Sequence, residues 1–487
     1  MMKKIENYID GRLVAPVSGN YLDNYEPATG EVYSLIPDSD EADVNAAVDA
    51  AKRAFPRWSK TAPEDRFTIL MRLVALIERD LNKLAEAESV DNGKPVALAK
   101  MMDIPRAASN FRFYATAAMH FSSESHETIG QAQAINYTLR HPLGVAGCIS
   151  PWNLPLYLFT WKIAPAMASG NCVVAKPSEV TPMTAYLLSE LCIEAGLPAG
   201  VLNVVHGTGP KVGVAIVAHP DIKAISFTGG TKTGAEIART AAPVFKKLSL
   251  ELGGKNPNII FADCNYEEML NTTVRSSFAN QGQICLCGSR IFVEQPIFEK
   301  FKADFVARVK TLKIGDPATD VNLGAVVSEA HMNKVLSYVE LAKEEGGSIL
   351  TGGSRIKIEG RCEKGWFIEP TVIEGLRHDC RTNQEEIFGP VVTITPFETE
   401  DEVLAYANSV RYGLSATVWT ENLSRAHRVA AGLESGIVWI NCWLLRDLRT
   451  PFGGVKDSGM GREGGFEALK FFTEEKNVCI KVSELPA

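Results

Sequence analysis

Apolar residues recur at three- and four-residue spacing over residues 40–55, the pattern of an amphipathic helix. Asp38 or Ser39 is its expected cap, with aspartate and glutamate in the first turn. The pattern continues over residues 63–89, where Phe67, Leu70, Leu73, Leu76 and Ile77 share a face, and a further helix is expected from near Lys94 to Met119. Upstream, Asn7-Tyr-Ile-Asp-Gly-Arg-Leu13 reads as a hairpin turning at Asp10-Gly11. Near residue 133 the period changes. Residues 134–140 and 145–149 read as strands, the second apolar throughout and therefore buried. Helices and strands then alternate with short connections: a helix from Pro155, a strand at 171–175, a helix at 181–195, a strand at 201–205, a helix at 212–218, a strand at 224–227 and a helix at 232–241. This alternation predicts a parallel sheet covered by helices on both faces. Strands at 258–261 and 290–293 and helices at 266–280 and 297–309 begin a second α/β unit, spanning about residues 253–453 and joined at Leu252-Gly-Gly254. A strand is expected within 470–482, pairing with the stretch near Ala134 or with another subunit.

A chain of 487 residues exceeds one ordinary core, so two or three domains are expected. Hydrophobic residues make up 46% and charged residues 22%, as in a globular protein in water. The net charge of -8 argues against a nucleic-acid partner. No apolar run approaches the ~18 residues of a membrane span, and the N-terminus lacks the apolar stretch of a signal peptide. No membrane association and a cytoplasmic location are the expectations. Of ten cysteines only Cys285 and Cys287 lie close together, and no Cys-x-x-Cys pair exists. Neither framework disulfides nor a metal site is expected.

Three segments carry candidate chemistry. Phe278-Ala-Asn-Gln-Gly-Gln-Ile-Cys-Leu-Cys287 presents a thiol near a glycine-bearing turn, and a thiol needs little activation to attack carbon. Spacing alone leaves Cys285 and Cys287 open. Glu251, in Leu250-Glu-Leu-Gly-Gly-Lys255, is a base if desolvated and otherwise a surface carboxylate. Asn153, between Pro151 and Pro155, either steadies an oxyanion or caps the following helix. Two glycine-bearing loops, Gly207-Thr-Gly-Pro-Lys-Val-Gly213 and Phe227-Thr-Gly-Gly-Thr-Lys-Thr-Gly234, follow strands and open helices, where backbone N–H groups can meet a phosphate. Lys176, Ser178 and Glu179 end another strand, where Lys and Glu can bond a ribose; a carboxylate there disfavours a 2′-phosphate and points to NAD.

Seven elements occur in one order: Pro151-Trp-Asn153, Lys176-Pro-Ser-Glu179, Phe227-Thr-Gly229, Leu250-Glu-Leu-Gly-Gly254, Gln283-x-Cys285, Glu385-Glu-Ile-Phe-Gly-Pro390 and Pro451-Phe-Gly-Gly454. With them the chain resembles the aldehyde dehydrogenase superfamily along essentially its whole length. The resemblance implies an α/β fold with a Rossmann-type NAD-binding domain (residues 1–118 and 139–252), an α/β catalytic domain (253–453) and a small β oligomerisation arm (119–138 and 468–487) that makes a homo-dimer or homo-tetramer. It selects Cys285 as the nucleophile, Glu251 as the base for deacylation, and Asn153 with the backbone N–H of Cys285 as the oxyanion hole. The implied cofactor set is Ser150, Pro151, Trp152, Lys176, Ser178, Glu179, Gly209, Gly213, Phe227, Thr228, Gly229, Gly230, Glu386 and Phe388. Many members have serine where this chain has Gly230, so a modest change in cofactor affinity is expected.

Met102-Asp-Ile-Pro-Arg106, Asn110-Phe-Arg112 and Asn441-Cys-Trp-Leu-Leu-Arg-Asp-Leu-Arg-Thr450 resemble the branch oxidising 2-aminomuconic and 2-hydroxymuconic semialdehydes. That resemblance implies that Arg106 and Arg446, with Asn153 and Phe452, hold a small acidic semialdehyde; Arg449 competes with Arg446. An arginine fork grips a carboxylate in two places and so sets the aldehyde's distance from sulfur. The alternatives are a broad-range or betaine-type aldehyde dehydrogenase, a CoA-acylating relative, a cysteine hydrolase using His219 or His331, and a structural protein that kept an enzyme fold.

Overall fold

The structure is a computed structural model that describes residues 2–130 and 132–484. Residues 131 and 485–487, part of the expected arm, and residue 1 of the expected NAD-binding domain lie outside the described residues.

An eight-stranded sheet runs in the order Gly459–Met460, Lys247–Glu251, Ile222–Thr228, Val145–Ile149, Cys172–Lys176, Leu202–Val204, Asn7–Ile9, Arg12–Val14. Its five central strands are parallel, as the alternation predicts. The edges are antiparallel: the Asn7–Val14 hairpin closes one side and Gly459–Met460 the other. Chain order runs outward in both directions from Val145–Ile149, so its gap with Ile222–Thr228 is a topological switch point. In such sheets ligands lie beyond the carboxyl ends at this gap. Ser150-Pro-Trp-Asn153 and Thr228-Gly-Gly230 occupy those ends. The helix Pro155–Ala168 is buried along its whole length and packs behind them.

A seven-stranded sheet, all parallel but for Ser348–Thr351 at one edge, takes the chain from Pro257 to Ile440. Its strands Pro257–Ile260 and Arg290–Glu294 begin where the first sheet's strand Lys247–Glu251 ends. The amino ends of the second sheet thus meet the carboxyl ends of the first. Arg290, fully buried, holds this junction by donating to the carbonyls of Lys255 (2.9 Å), Tyr406 (2.8 Å) and Ala407 (2.8 Å). Thr473–Glu484 pairs within the chain with Ala132–Pro142, and Ser125–Ile129 completes a three-stranded antiparallel sheet.

Several local expectations are corrected. The first helix, Glu41–Trp58, is capped by Asp40, whose side chain accepts from Ala42 while Asp43 answers the Asp40 N–H. Asp38 bonds Lys211 and Ser39 bonds Asn7 instead. The expected helix over 63–89 is two, Pro63–Arg79 and Leu81–Asn92, broken at Asp80. The helix expected from Lys94 starts at Val96, passes through the π-turn Ala99–Asp103 and continues as Ile104–Met119. At the carboxyl terminus the strand expected within 470–482 is present as Thr473–Glu484, after a helix that ends at Phe471.

Candidate active site

The segment that carries Cys285 leaves the helix Tyr266–Phe278 through Asn280 and Gln281, both in left-handed backbone (φ +53° and +56°). Such φ values cost energy in non-glycine residues and persist where contacts impose them. Here Asn280 donates to the carbonyls of Asn153 (2.9 Å) and Gln283 (3.3 Å), and Gln281 donates to Ala325 (2.8 Å). Asn256 then takes the carbonyls of Cys285 (2.7 Å) and Cys287 (2.9 Å). The turn places Cys285 between two small cavities. One, about 20 Å³, is lined by Glu386 and Phe388; the other, about 30 Å³, by Glu251, Arg446 and Phe452. Cys285 lines both, whereas Cys287 lines only the first, so geometry separates two thiols that spacing could not. The Cys285 thiol is held above the ordinary cysteine value, first by its enclosure and then by Glu251 and Glu386, with Arg446 opposing.

Asn153 is buried and does not cap the following helix, whose cap position is Leu154. Its amide donates to the Gln283 carbonyl (2.9 Å), which leaves one further N–H beside the nucleophile segment. Glu251 is 4% exposed, not a surface carboxylate, and neither of its oxygens has a hydrogen-bond partner. Burial, then the nearby Glu463, raises its carboxyl well above the usual range. Lys162 and Glu463 escaped the sequence reading. Their side chains pair at 2.7 Å, and Ser226 donates to Glu463 at 2.8 Å. A lysine in the otherwise apolar helix Pro-Leu-Tyr-Leu-Phe-Thr-Trp-Lys162 was a usable signal, because a buried ammonium needs a carboxylate. Its partner, 301 positions away, was not readable.

Arg106 and Arg446 converge on one aromatic wall. Arg446 donates to the Tyr157 hydroxyl (2.7 Å) and lies over the rings of Phe452 (4.0 Å) and Trp161 (5.1 Å). Arg106 lies over Tyr157 (5.2 Å) and Trp161 (5.4 Å), and its buried Nη2 has no hydrogen-bond partner. Neither guanidinium forms a salt bridge among the described residues. Arg449 sits apart, its side chain 78% exposed and paired with Asp447 at 2.6 Å.

The expected cofactor residues, except Glu386 and Phe388, line one groove of about 710 Å³ at the switch point. Lys176 is 2% exposed rather than a solvated loop charge, and pairs with Glu179 at 2.8 Å. Glu179 also accepts from the Gly209 N–H (3.2 Å). Ser150 and Thr228, whose hydroxyls are buried without partners, are among the residues that line this groove. Gly230 precedes the helix Thr231–Ala241, and a side chain there would meet open space; the Gly229 N–H is already bonded to the Glu251 carbonyl (3.0 Å). Glu386 accepts from Gly254 (2.9 Å), and a Cβ at Gly253 would lie 2.5 Å from its carboxylate and displace it. Trp152 and Phe388 meet edge to face at 5.3 Å and join the groove to the Cys285 cavity.

The histidines required by the hydrolase alternative are elsewhere. His331 bonds the Phe388 carbonyl (2.7 Å) and packs on Trp152, and burial pushes it down to about 4. The His219 ring accepts from the Asp221 N–H (3.1 Å). Neither lines a cavity with Cys285.

The family model for the aldehyde dehydrogenase family matches residues 14–478. The chain is 51% identical over 480 residues to the 2-aminomuconic semialdehyde dehydrogenase of Homo sapiens, covering 98% of each chain. It is 48% identical over 486 residues to the 2-hydroxymuconic semialdehyde dehydrogenase of Pseudomonas sp. (strain CF600), covering 99% of this chain and 100% of that one. Its fold superposes on the NAD+ complex of an aldehyde dehydrogenase from Bacillus cereus with a TM-score of 0.96 at 39% identity, covering 99% and 97%. A thiol between two cavities, a buried carboxylate beside it and a groove at the switch point thus occur in a chain that belongs to the aldehyde dehydrogenase family.

Proposed function

We propose that this protein oxidises 2-aminomuconic or 2-hydroxymuconic 6-semialdehyde to the dicarboxylic acid with NAD. The observation that carries the substrate class is the pair Arg106 and Arg446. Two largely buried guanidinium groups without a carboxylate cost free energy until an anion joins them. A substrate carboxylate supplies that anion, while a cationic aldehyde such as a betaine aldehyde adds a like charge. The relatives named for muconic semialdehydes support the same reading. Arg446 rather than Arg449 takes the carboxylate role, because Arg446 alone shares a cavity with Cys285.

The groove suits NAD. Ser150 and Thr228, with unpartnered hydroxyls, line it, the Lys176–Glu179 pair offers a donor and an acceptor for a ribose, and the start of the helix Thr231–Ala241 offers free N–H groups for phosphate. The NAD+ complex of the structural relative supports this assignment. NAD, when bound, supplies the hydride acceptor.

The chain's own residues do the rest. The arginines seat the carboxylate and bring the aldehyde carbon to Cys285. The sulfur adds to that carbon as its proton leaves, and the Asn153 amide and the Cys285 N–H steady the oxyanion of the thiohemiacetal. Loss of hydride leaves a thioester on Cys285. Glu251 then takes a proton from water, whose oxygen attacks the thioester; the acid departs and the thiol is restored. Residues 1–118 and 139–252 form the cofactor unit and 253–453 the catalytic unit. The segments 119–138 and 468–487 form the arm that joins copies into a dimer or tetramer.

NADH formation across acidic, neutral and cationic aldehydes tests the assignment; equal kcat/KM on all of them overturns it. Arg446→Ala is expected to raise KM for the acidic semialdehyde roughly 10- to 100-fold, the loss of a charge-assisted hydrogen bond, and to leave acetaldehyde oxidation nearly unchanged. A raised Glu251 carboxyl is protonated below its own pKa, so the basic form grows as pH rises. Deacylation-limited kcat should therefore climb with pH above the ordinary carboxylate range, and Glu251→Gln should flatten that profile. Gly230→Ser adds a cap hydroxyl in open space. It should stabilise by a few tenths of a kcal/mol and change NAD affinity by no more than about tenfold; titration of NAD checks this, and loss of binding contradicts it.

A further inference from the structure

Behind Asn153 lies a buried ion cluster that the proposed chemistry does not use. Lys94, Glu88 and Asp103 are each 0% exposed. The Lys94 ammonium donates to Asp103 at 3.0 Å, lies 3.9 Å from Glu88, and donates to the backbone carbonyl of Asn153 at 3.1 Å. Glu88 accepts from the Leu156 N–H at 3.3 Å through either oxygen. The cluster therefore grips the main chain on both sides of the Asn153–Leu154 bond. Asn92 adds a bond to the Trp152 carbonyl (2.9 Å), and Asn280 reaches the Asn153 carbonyl from the nucleophile segment (2.9 Å).

The other arm of the cluster points to the substrate side. Asp103 closes the π-turn Ala99–Asp103, whose Met102 lines the cavity shared by Cys285 and Arg446. The helix beginning at Ile104 carries Arg106 one residue after its Pro105. One ammonium thus ties the loop bearing the oxyanion amide to the element bearing a carboxylate-seating arginine. Stability alone does not call for this arrangement, because well-packed apolar residues hold a core as well as a buried ion pair does. Placement does: the Asn153 side chain is pinned at its amide by Gln283, and its remaining freedom is the orientation of the backbone, which Lys94 holds together with Asn280 and Asn92 and as the one charged donor of the three.

We propose that Lys94, held by Asp103, is a positioning residue that fixes the Asn153 backbone and so aims its free amide N–H at the forming oxyanion. This inference rests on the reading of Asn153 as the oxyanion donor. Misplacing a catalytic group by an ångström costs roughly 100-fold in rate.

The test is a double-mutant cycle on the pre-steady-state burst of NADH, using the full chain, 2-hydroxymuconic semialdehyde and NAD. Lys94→Met, Asn153→Ala and the double variant are compared, with NADH fluorescence reporting cofactor affinity. Lys94→Met should slow the burst roughly 100-fold with cofactor affinity unchanged. On the Asn153→Ala background it should add less than about threefold. Independent effects that multiply in the double variant overturn the proposal, as does an unchanged burst in Lys94→Met. An Asn153→Ala burst at the wild-type rate defeats the reading of Asn153 and this inference with it. If Lys94→Met does not fold, Asp103→Asn, which removes the counter-charge at nearly constant shape, passes through the same cycle with the same two outcomes.

Discussion

The site depends on a seam between two sheets. The carboxyl ends of one parallel sheet face the amino ends of another, and the hydrogen bonds Asn153 to Gln283 and Asn280 to Asn153 stitch them together. Both donors are buried carboxamides, so each missing bond would leave a polar group stranded away from water. The groove at the switch point lies on one side of this seam and Cys285 on the other. Their relative position is therefore set by short polar contacts within a shared apolar core, in which Ile284, Leu286 and Cys287 pack in one cluster with Ile149, Leu154 and Leu158.

Charge buried near the seam is answered in different ways. Lys162 with Glu463 and Lys94 with Asp103 are matched pairs, with each desolvated ion answered at 3.0 Å or less. Arg106 and Arg446 are unmatched, held by aromatic faces that offset only part of the desolvation. Glu251 and Glu463 add a carboxylate pair in which burial and mutual repulsion raise the Glu251 carboxyl. The matched ions hold elements in place, as does Arg290, which backbone carbonyls answer in place of a carboxylate; Arg106 has no such set of carbonyls, and its Nη2 is left without a partner.

Much of the architecture was legible because it rests on local period. Near-continuous apolar runs at 145–149 and 171–175 could only be buried parallel strands once helices were seen between them. The break at Asp80 was not legible, since the apolar face continues across it. The π-turn at Ala99–Asp103 was hidden for a similar reason: one widened turn barely disturbs helical spacing. Choices between like residues also needed the third dimension. Arg446 and Arg449 sit three positions apart on one loop, yet one packs on Phe452 and the other pairs with Asp447 in solvent. Cys285 and Cys287 differ only in how a turn with two left-handed residues presents them. Lys162 and Lys94 were visible as cations in apolar or mixed helical stretches, but the groups that answer them are set by folding.

In the proposed reaction Cys285 forms a bond to the carbon of an anionic semialdehyde. Peptide mapping by mass spectrometry, on the Glu251→Gln enzyme quenched after mixing with NAD and 2-hydroxymuconic semialdehyde, reads that bond directly. One acyl group per chain on Cys285, formed together with one NADH, is the expected result. An adduct on Cys287, or NADH released with no adduct on either thiol, would contradict it.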